Sequence, residues 1–315
     1  MMPEHGLGFW QCKLRYWNQE QLLEVAREHH RRGIPLDVIV ADFFHWQWMG
    51  DYSFEEEFWP DPGAMVRELK ELGVELMVSV WPQVSPNSDN FLPLQKENLL
   101  VKTRTGIDVQ YHFVDQYTRF LDVTNPRART WLWERLQESY GRHGIDLFWL
   151  DEAEPEYGAY EFDHYLYAAG PTAKVANIYP RDFVRAVGEG QRANGNDRPL
   201  SLVRAAWAGS QRHGALIWSG DVHSTWDDLR AQIAAGIHMG VAGIPWFTTD
   251  IGGFTGGWVD DPAFRELLVR WFQFGAFSPV MRLHGDRRPQ QPVATAAGEY
   301  RLESGADNEE WSHGP

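Results

Sequence analysis

The chain has 315 residues, with 29 Lys and Arg against 44 Asp and Glu, which gives a formal net charge of −15 at pH 7. This balance excludes nucleic acid as a partner, because phosphate binding requires clustered Lys and Arg. No apolar run approaches the roughly 20 residues that are needed to cross a bilayer, which excludes a membrane-spanning protein. The single cysteine, Cys12, excludes an internal disulfide and, on this argument, any cysteine-based zinc site.

Short apolar runs alternate with amphipathic segments along the chain, which is typical of a parallel α/β fold. The apolar runs predict eight strands, at Gly8–Cys12, Leu36–Asp42, Glu75–Trp81, Ile145–Asp151, Leu200–Arg204, Ala215–Asp221, Gly243–Asp250 and Pro279–His284. The amphipathic segments predict six helices, at Gln19–Arg32, Pro62–Leu72, Arg127–Arg142, Pro180–Asn194, Trp226–Met239 and Pro262–Ala276. The fifth connection, Ala205–Gly214, is too short for a full helix, so we expect a single turn there.

Eight parallel strands with helical returns predict an α/β fold, a (β/α)8 TIM barrel that reaches strand eight within residues 1–285. Three long stretches predicted to be irregular follow strand ends, where a barrel keeps its active-site loops: Phe43–Asp61, Pro82–Thr124 and Glu152–Ile178. Residues 286–315 predict a polar loop that leads to a truncated eighth helix. We therefore expect a barrel that is incomplete at its C-terminal end, in a chain that is part of a longer protein.

The opening segment MMPEHGLGFW lacks the basic and apolar regions of a secretory signal. Together with the single cysteine, this favours a cytoplasmic location, although a signal upstream of the given sequence stays open.

Seven of the eight predicted strands end in a polar or aromatic residue, at the end where barrel enzymes place their chemistry. These residues are Asp42, Trp81, Asp151, Arg204, Asp221, Asp250 and His284. Acids also end strands because loops are solvated, but four carboxylates among seven strand ends exceed what solvation alone explains.

Two chemistries fit such a set of side chains. In glycoside hydrolysis one carboxylate attacks the anomeric carbon and another protonates the leaving oxygen. In a divalent-metal site, Asp and His are the ligands. The aromatic content favours the sugar, because flat indole faces suit a pyranose ring. The candidate tryptophans are predicted at the same strand ends: Trp81, Trp149, Trp218 and Trp246. No metal and no organic cofactor are predicted.

Two of the acids stand out as candidates for catalysis. Asp151 is the first acid after a strongly apolar run, so its backbone belongs to a rigid strand. The acids that follow it, Glu152, Glu154 and Glu156, are interpreted as solvated loop charges. Gly220 permits a sharp turn before Asp221, which suits an acid at the rim of a pocket.

These segments resemble glycoside hydrolase family 31, the family of α-glucosidases and α-xylosidases. FWLDEAEPE resembles the nucleophile segment of that family, WSGD its acid/base segment and LVRAAWAGSQR its Arg-bearing strand. GIPWFTTDIGGF, MRLHG, IVADFFHW and VSVWP are similar to further strands of the family barrel, in the same order along residues 6–285. The family usually carries β-domains before and after the barrel, and both are absent from this sequence.

The resemblance implies a retaining, exo-acting α-glycoside hydrolase that works by double displacement on an α-linked oligosaccharide or glycoside. It implies that Asp151 is the nucleophile and Asp221 the general acid/base. Substrate binding is implied for Asp42, Trp81, Trp149, Arg204, Trp218, Trp246, Asp250 and His284. The chain resembles the α-xylosidase branch more than the starch-acting one, and α-glucosidase activity stays open.

Two other classes of protein remain as alternatives. One is a non-catalytic or inactive carbohydrate-binding barrel, which needs aromatic and polar side chains but no pair of opposed acids. The other is a metal-dependent barrel enzyme, against which the absence of an HExxH motif counts. The presence of both Asp151 and Asp221 favours the glycosidase.

Overall fold

The computed structural model describes residues 1–43, 45–106, 111–113, 116–154, 162–291 and 304–314. The chain divides into two compact units. The first unit comprises residues 1–45, 56–78 and 216–315, and the second unit comprises residues 46–55 and 79–215. None of the described helices is long and apolar enough to span a bilayer.

All eight predicted strands are present, each somewhat shorter than predicted. The parallel strands are Phe9–Gln11, Val38–Ala41, Glu75–Val80, Leu147–Leu150, Ser201–Val203, Ala215–Trp218, Phe247–Thr248, Asp250–Ile251 and Met281–Leu283. The seventh strand consists of two pieces, separated by Thr249, and begins at Phe247 rather than at the predicted Gly243. The preceding helix runs on to Val241, and Gly243 has a φ of 81°, so the chain is still turning there.

In the first unit, parallel neighbours lie side by side in an unbroken series. Phe9–Gln11 pairs with Met281–Leu283 on one side and with Val38–Ala41 on the other. Val38–Ala41 also pairs with Glu75–Val80, while Met281–Leu283 pairs with Asp250–Ile251. Because parallel strands run in one direction, their C-terminal ends reach the same edge of the sheet.

In the second unit, Leu147–Leu150 pairs in parallel with Ser201–Val203. The backbone N–H of Asp151 continues the ladder on one side by donating to the Val80 carbonyl at 3.1 Å. On the other side, the N–H of Ser201 donates to the Gly214 carbonyl at 3.0 Å. The first hydrogen bond joins the C-terminal ends of two strands, and the second joins the beginning of Ser201–Val203 to the residue before Ala215–Trp218.

The six predicted helices are present with small differences at their ends. The described helices are Gln19–Arg32, Pro62–Glu71, Phe91–Lys96, Pro126–Ser139, Thr172–Val175, Tyr179–Ala193, Trp226–Val241 and Pro262–Gly275. Local capping sets several boundaries: the side chains of Asp61, Asn125 and Asp261 each accept a hydrogen bond from a backbone N–H of the helix that follows, and each precedes a proline. The single turn predicted for the fifth connection is a 3-10 helix at Ser210–His213.

The long stretches predicted to be irregular contain ordered strands and two short helices. In the second unit, the added strands are Gln83–Val84, Lys102–Thr103, Tyr111–Phe113, Gln116–Phe120, Tyr165–Tyr167 and Gly170–Pro171. In the first unit, the segment predicted as a polar loop forms the strand Asp286–Gln291, which pairs with Thr255–Trp258 and with Ser304–Ala306. These short strands lack the long apolar runs from which the barrel strands were predicted.

One apolar cluster of the first unit packs the helix Pro262–Gly275 onto its strands. Phe264, Leu267, Leu268 and Trp271 recur at helical spacing and are buried against strand residues such as Leu283. Burying such side chains contributes about 1.5–3 kcal/mol each, which holds the strand ends of this unit in place.

Candidate active site

In the second unit, Asp151 and Arg204 follow directly on neighbouring parallel strands. Asp151 is 7% exposed. The Arg204 Nη1 atom lies 3.7 Å from Asp151 Oδ1. The same Nη1 lies 3.0 Å from Glu152 Oε1, and Arg204 Nε lies 2.9 Å from Glu154 Oε1. The structure therefore brings the predicted nucleophile and the predicted arginine together, in a cluster of one cation and three carboxylates.

The prediction that Glu152 and Glu154 are solvated loop charges was wrong for Glu152, whereas the Glu154 side chain is 32% exposed. Glu152 is only 4% exposed, and both side chains form ion pairs with Arg204. The sequence offered a signal for this, because acids close behind an apolar strand can turn back to a cation on the neighbouring strand. Glu156 lies outside the described residues.

Two of the predicted tryptophans belong to the second unit and are buried. Trp81 follows the strand Glu75–Val80, donates from its indole N–H to Ser79 Oγ at 3.1 Å and contacts Trp46 edge-on at 5.9 Å between centroids. Trp149 is the third residue of the strand Leu147–Leu150, so it lies within the strand rather than after it.

In the first unit, Asp250 pairs with Arg282, a residue that was not among the predicted site residues. Both side chains are completely buried, and the Arg282 Nη1 atom contacts Asp250 Oδ1 directly. The guanidinium also lies over the Trp218 ring, 5.6 Å from its centroid. An arginine inside a short apolar strand was a usable signal, because a buried cation requires an anionic partner.

His284 and Asp42 end two other strands of the first unit. His284 Nε2 lies 3.7 Å from Asp42 Oδ2, and Asp42 Oδ1 accepts a hydrogen bond from the Phe43 N–H at 2.6 Å. Burial, together with the charges of Arg282 and Arg287, lowers the pKa of His284 well below its usual value. His284 is therefore neutral near pH 7 and offers a donor or acceptor rather than a positive charge.

Cys12 joins Asp42 and His284 as a group with the geometry to hold a metal ion. One ligand atom from each residue lies within 4.8 Å of the others, and all three residues are buried. A lone cysteine therefore does not by itself exclude a cysteine-containing metal site, contrary to the argument from cysteine number. Burial and the charge of Asp42 raise the pKa of the Cys12 thiol well above its usual value, and a protonated thiol is a poor metal ligand.

Asp221 is exposed on the turn after the strand Ala215–Trp218. Gly220 has a φ of 78°, the left-handed conformation that the predicted sharp turn requires. The Asp221 carbonyl accepts a long hydrogen bond from Thr255 Oγ1 at 3.5 Å. Asp151 and Asp221 belong to different units, and the carboxyl separation of about 5–5.5 Å expected for a retaining enzyme stays a prediction.

Trp246 was predicted at the C-terminal end of a strand, and the structure places it elsewhere. It is half-buried and precedes the strand Phe247–Thr248, where its carbonyl accepts the Ile217 N–H at 2.9 Å. The prediction failed because the apolar run GIPWF begins before the strand does. Trp246 therefore lies at the beginning of strand seven, four residues before Asp250.

The parallel strands with helical returns, and the acids, arginine and tryptophans at their ends, define an α/β protein with a parallel sheet. The predicted fold class is confirmed by residues 1–304, which match the TIM-barrel domain of glycosyl hydrolases family 31. The chain belongs to this family.

Relatives in the family include enzymes from bacteria, archaea and fungi. The chain is 54% identical over 288 residues to the uncharacterized family 31 glucosidase ORF2 of Pseudescherichia vulneris. The aligned residues cover 91% of this chain and 54% of that protein. It is 36% identical to alpha-xylosidase A of Aspergillus niger, over 99% of this chain and 45% of that protein. It is also 36% identical to the alpha-xylosidase of Saccharolobus solfataricus, over 93% of this chain and 39% of that protein. The chain thus spans about half the length of these curated relatives or less.

Two solved structures superpose on this chain over nearly its full length. A family 31 α-xylosidase from a soil metagenome, in complex with xylose, superposes with a TM-score of 0.96 at 52% identity, over 100% of this chain and 47% of that one. A xylosidase from Aspergillus niger superposes with a TM-score of 0.90 at 35% identity, over 99% of this chain and 46% of that one.

Proposed function

We propose that this chain is the catalytic barrel of a retaining, exo-acting α-glycosidase of the α-xylosidase type. One observation carries the proposal: Asp151 is buried at a strand end, with the Arg204 guanidinium 3.7 Å away. A nearby cation favours the ionised carboxylate, which is the form that attacks an anomeric carbon. The similarity to α-xylosidases supports xylose as the glycone.

The chemistry is a double displacement through a covalent glycosyl-enzyme. Asp151 attacks the anomeric carbon while Asp221 protonates the leaving glycosidic oxygen. Asp221 then deprotonates the water that hydrolyses the glycosyl-enzyme, so the sugar leaves with retained α-configuration. The exposure of Asp221 suits this role, because its proton can pass to an aglycone or to water.

The substrate is an α-linked oligosaccharide or glycoside. Asp42 and neutral His284 hydrogen-bond to sugar hydroxyls, since both are buried at strand ends of one unit. Asp250 forms a buried ion pair with Arg282, and its proposed effect on substrate binding is exerted through Arg282. Trp81 and Trp149 of the second unit and Trp218 of the first are the tryptophans proposed to contact the sugar ring.

The first experiment compares 4-nitrophenyl α-xyloside with 4-nitrophenyl α-glucoside on the purified full protein. We expect faster turnover of the xyloside, loss of activity in Asp151→Ala, and partial recovery of Asp221→Ala by added azide, which replaces the water without general-base help. Proton NMR of the first-formed sugar should show the α-anomer. Full activity of Asp151→Ala would overturn the assignment of the nucleophile, and a β-anomer would overturn retention.

A metal-dependent reaction is the second candidate, because Cys12, Asp42 and His284 lie within ligand distance of one another. We expect activity to survive dialysis against a chelator, whereas its loss and recovery on adding a divalent cation would favour the metal.

A cytoplasmic location stays a prediction that rests on the single cysteine, and fractionation of the source cells tests it.

A further inference from the structure

The turn after Asp151 places two further carboxylates on Arg204. Arg204 Nη1 donates to Glu152 Oε1 at 3.0 Å, and Arg204 Nε lies 2.9 Å from Glu154 Oε1. The distance from Nη1 to Asp151 Oδ1 is 3.7 Å, which exceeds the length of a hydrogen bond. The guanidinium thus hydrogen-bonds to Glu152, forms a close ion pair with Glu154 and acts on Asp151 across a longer distance.

The backbone of Glu152 is strained in a way that serves this arrangement. Its φ of 54° lies in the left-handed region, which residues other than glycine rarely adopt. Such a conformation costs about 1–3 kcal/mol and persists only where the surroundings hold it. The buried ion pair with Arg204 is such a constraint, and the left-handed turn returns the side chain to the strand from which Arg204 extends.

Three carboxylates share the Arg204 guanidinium among the described residues of the second unit. They are those of Asp151, Glu152 and Glu154. The strand on the other side of Asp151 presents the Val80 carbonyl, which accepts the Asp151 N–H, and is followed by the uncharged Trp81. The two glutamates lie nearer to the guanidinium than Asp151 does, so they offset part of the positive charge that Arg204 directs at Asp151.

We propose that Glu152 and Glu154 are positioning residues that hold Arg204 away from hydrogen-bond distance of Asp151, at 3.7 Å, and weaken its effect on that carboxylate. Asp151 then stays ionised but keeps the basicity that a nucleophile requires. This inference rests on the proposed function. In the first step the bond from Asp151 to the anomeric carbon forms, the bond to the leaving oxygen breaks, and the proton of Asp221 passes to that oxygen. Arg204, Glu152 and Glu154 keep their protonation states throughout.

The test is the pH dependence of kcat/KM for 4-nitrophenyl α-xyloside in Glu152→Gln and Glu154→Gln of the full protein. We expect the acid limb to move down by about half to one pH unit, because Arg204 then acts more strongly on Asp151. We expect kcat to fall about 10-fold while KM changes less than about 3-fold, since the lost interaction acts in the chemical step. Arg204→Gln should move the acid limb in the opposite direction.

Three controls separate this role from a merely structural one. Glu138→Gln removes an exposed carboxylate that pairs with Arg135 and should leave the pH profile unchanged. Glu152→Asp keeps the charge and should restore most of the acid limb, whereas Glu152→Gly relieves the backbone strain without the charge and should not. An acid limb that stays in place or moves upward in both Gln variants overturns the inference. An active Asp151→Ala variant overturns the proposed function instead, so the two failures are distinguishable.

Discussion

Arg282 and Asp250 form an ion pair in which both side chains are completely shielded from solvent. Their strands pair in parallel with Asp250 opposite Arg282, so the backbone register places the two charges side by side. Trp218 covers the guanidinium from another strand of the same unit. Because an isolated charge in such an interior costs several kcal/mol, each residue depends on the other.

Arg282→Met should therefore destabilise the protein strongly. It removes the cation that contacts the buried Asp250 carboxylate, and we expect the free energy of unfolding to fall by about 3–5 kcal/mol in urea denaturation. The matched control is Arg230→Met, which breaks an ion pair whose side chains are 78% and 92% exposed. That change should stay within about 0.5 kcal/mol. Equal stability of the two variants would contradict the prediction.

Gly214→Ala tests a close backbone contact next to the sixth strand. Gly214 has a φ of 85°, and a Cβ atom there would lie 2.2 Å from the Pro199 carbonyl oxygen. We expect a loss of about 3 kcal/mol or more in thermal or urea unfolding, because backbone must move on one side of the contact. Gly73→Ala is the control, since Gly73 has a similar φ of 79° but open space around its Cα. Gly73→Ala should lower the free energy of unfolding only by its backbone strain, about 1 kcal/mol.

His313 should make stability depend on pH. Burial, together with the charges of Arg287 and Arg265, lowers the pKa of His313 to about 4. In the unfolded chain the pKa is about 6.5, so the unfolded state binds a proton first as the pH falls. Neutral His313 makes its full contribution to the free energy of unfolding above about pH 6.5. This contribution, up to roughly 3 kcal/mol, is lost as the pH falls towards about 4. His313→Gln should reduce the fall in unfolding free energy between pH 7 and pH 5, and an unchanged slope would refute this.

His29 should act in the opposite direction and serves as a comparison. Burial lowers its pKa, but the interactions with Glu310 and with the Val25 carbonyl outweigh burial and raise the pKa overall. Its stabilising contribution is therefore complete below the unfolded value of about 6.5 and is lost as the pH rises through the raised value. His29→Gln should make the unfolding free energy fall more steeply from pH 7 to pH 5, the reverse of the His313 variant.

Asp42→Asn tests the proposed contact with a sugar hydroxyl. The change keeps the shape of the side chain but removes its charge, and a hydrogen bond to a charged group contributes about 1.5–3 kcal/mol. We expect kcat/KM for the xyloside to fall roughly 10- to 150-fold, with a small change in unfolding free energy. Asp182→Asn, at a buried carboxylate on the helix Tyr179–Ala193, is the control and should leave kcat/KM unchanged. Equal effects in both variants would argue against a substrate contact.

Much of the fold was predictable because its signals are local. Apolar runs marked all eight parallel strands, and pairs such as Asp61-Pro62 marked the starts of helices. The short strands Gln83–Val84 and Lys102–Thr103 were missed, since two residues carry no periodic pattern. The beginning of strand seven was misplaced because an apolar run continued through a turn that Gly243 makes possible.

The sequence by itself determined where the eight parallel strands lie, because apolar runs and turn residues are local features of the chain. Only the tertiary structure decided how the side chains at their ends divide their charges. It paired Arg282 with Asp250 through strand register, and it paired both Glu152 and Glu154 with Arg204. Such pairings join residues that are tens of positions apart, and their strength depends on distance and burial. Both quantities exist only once the chain has folded.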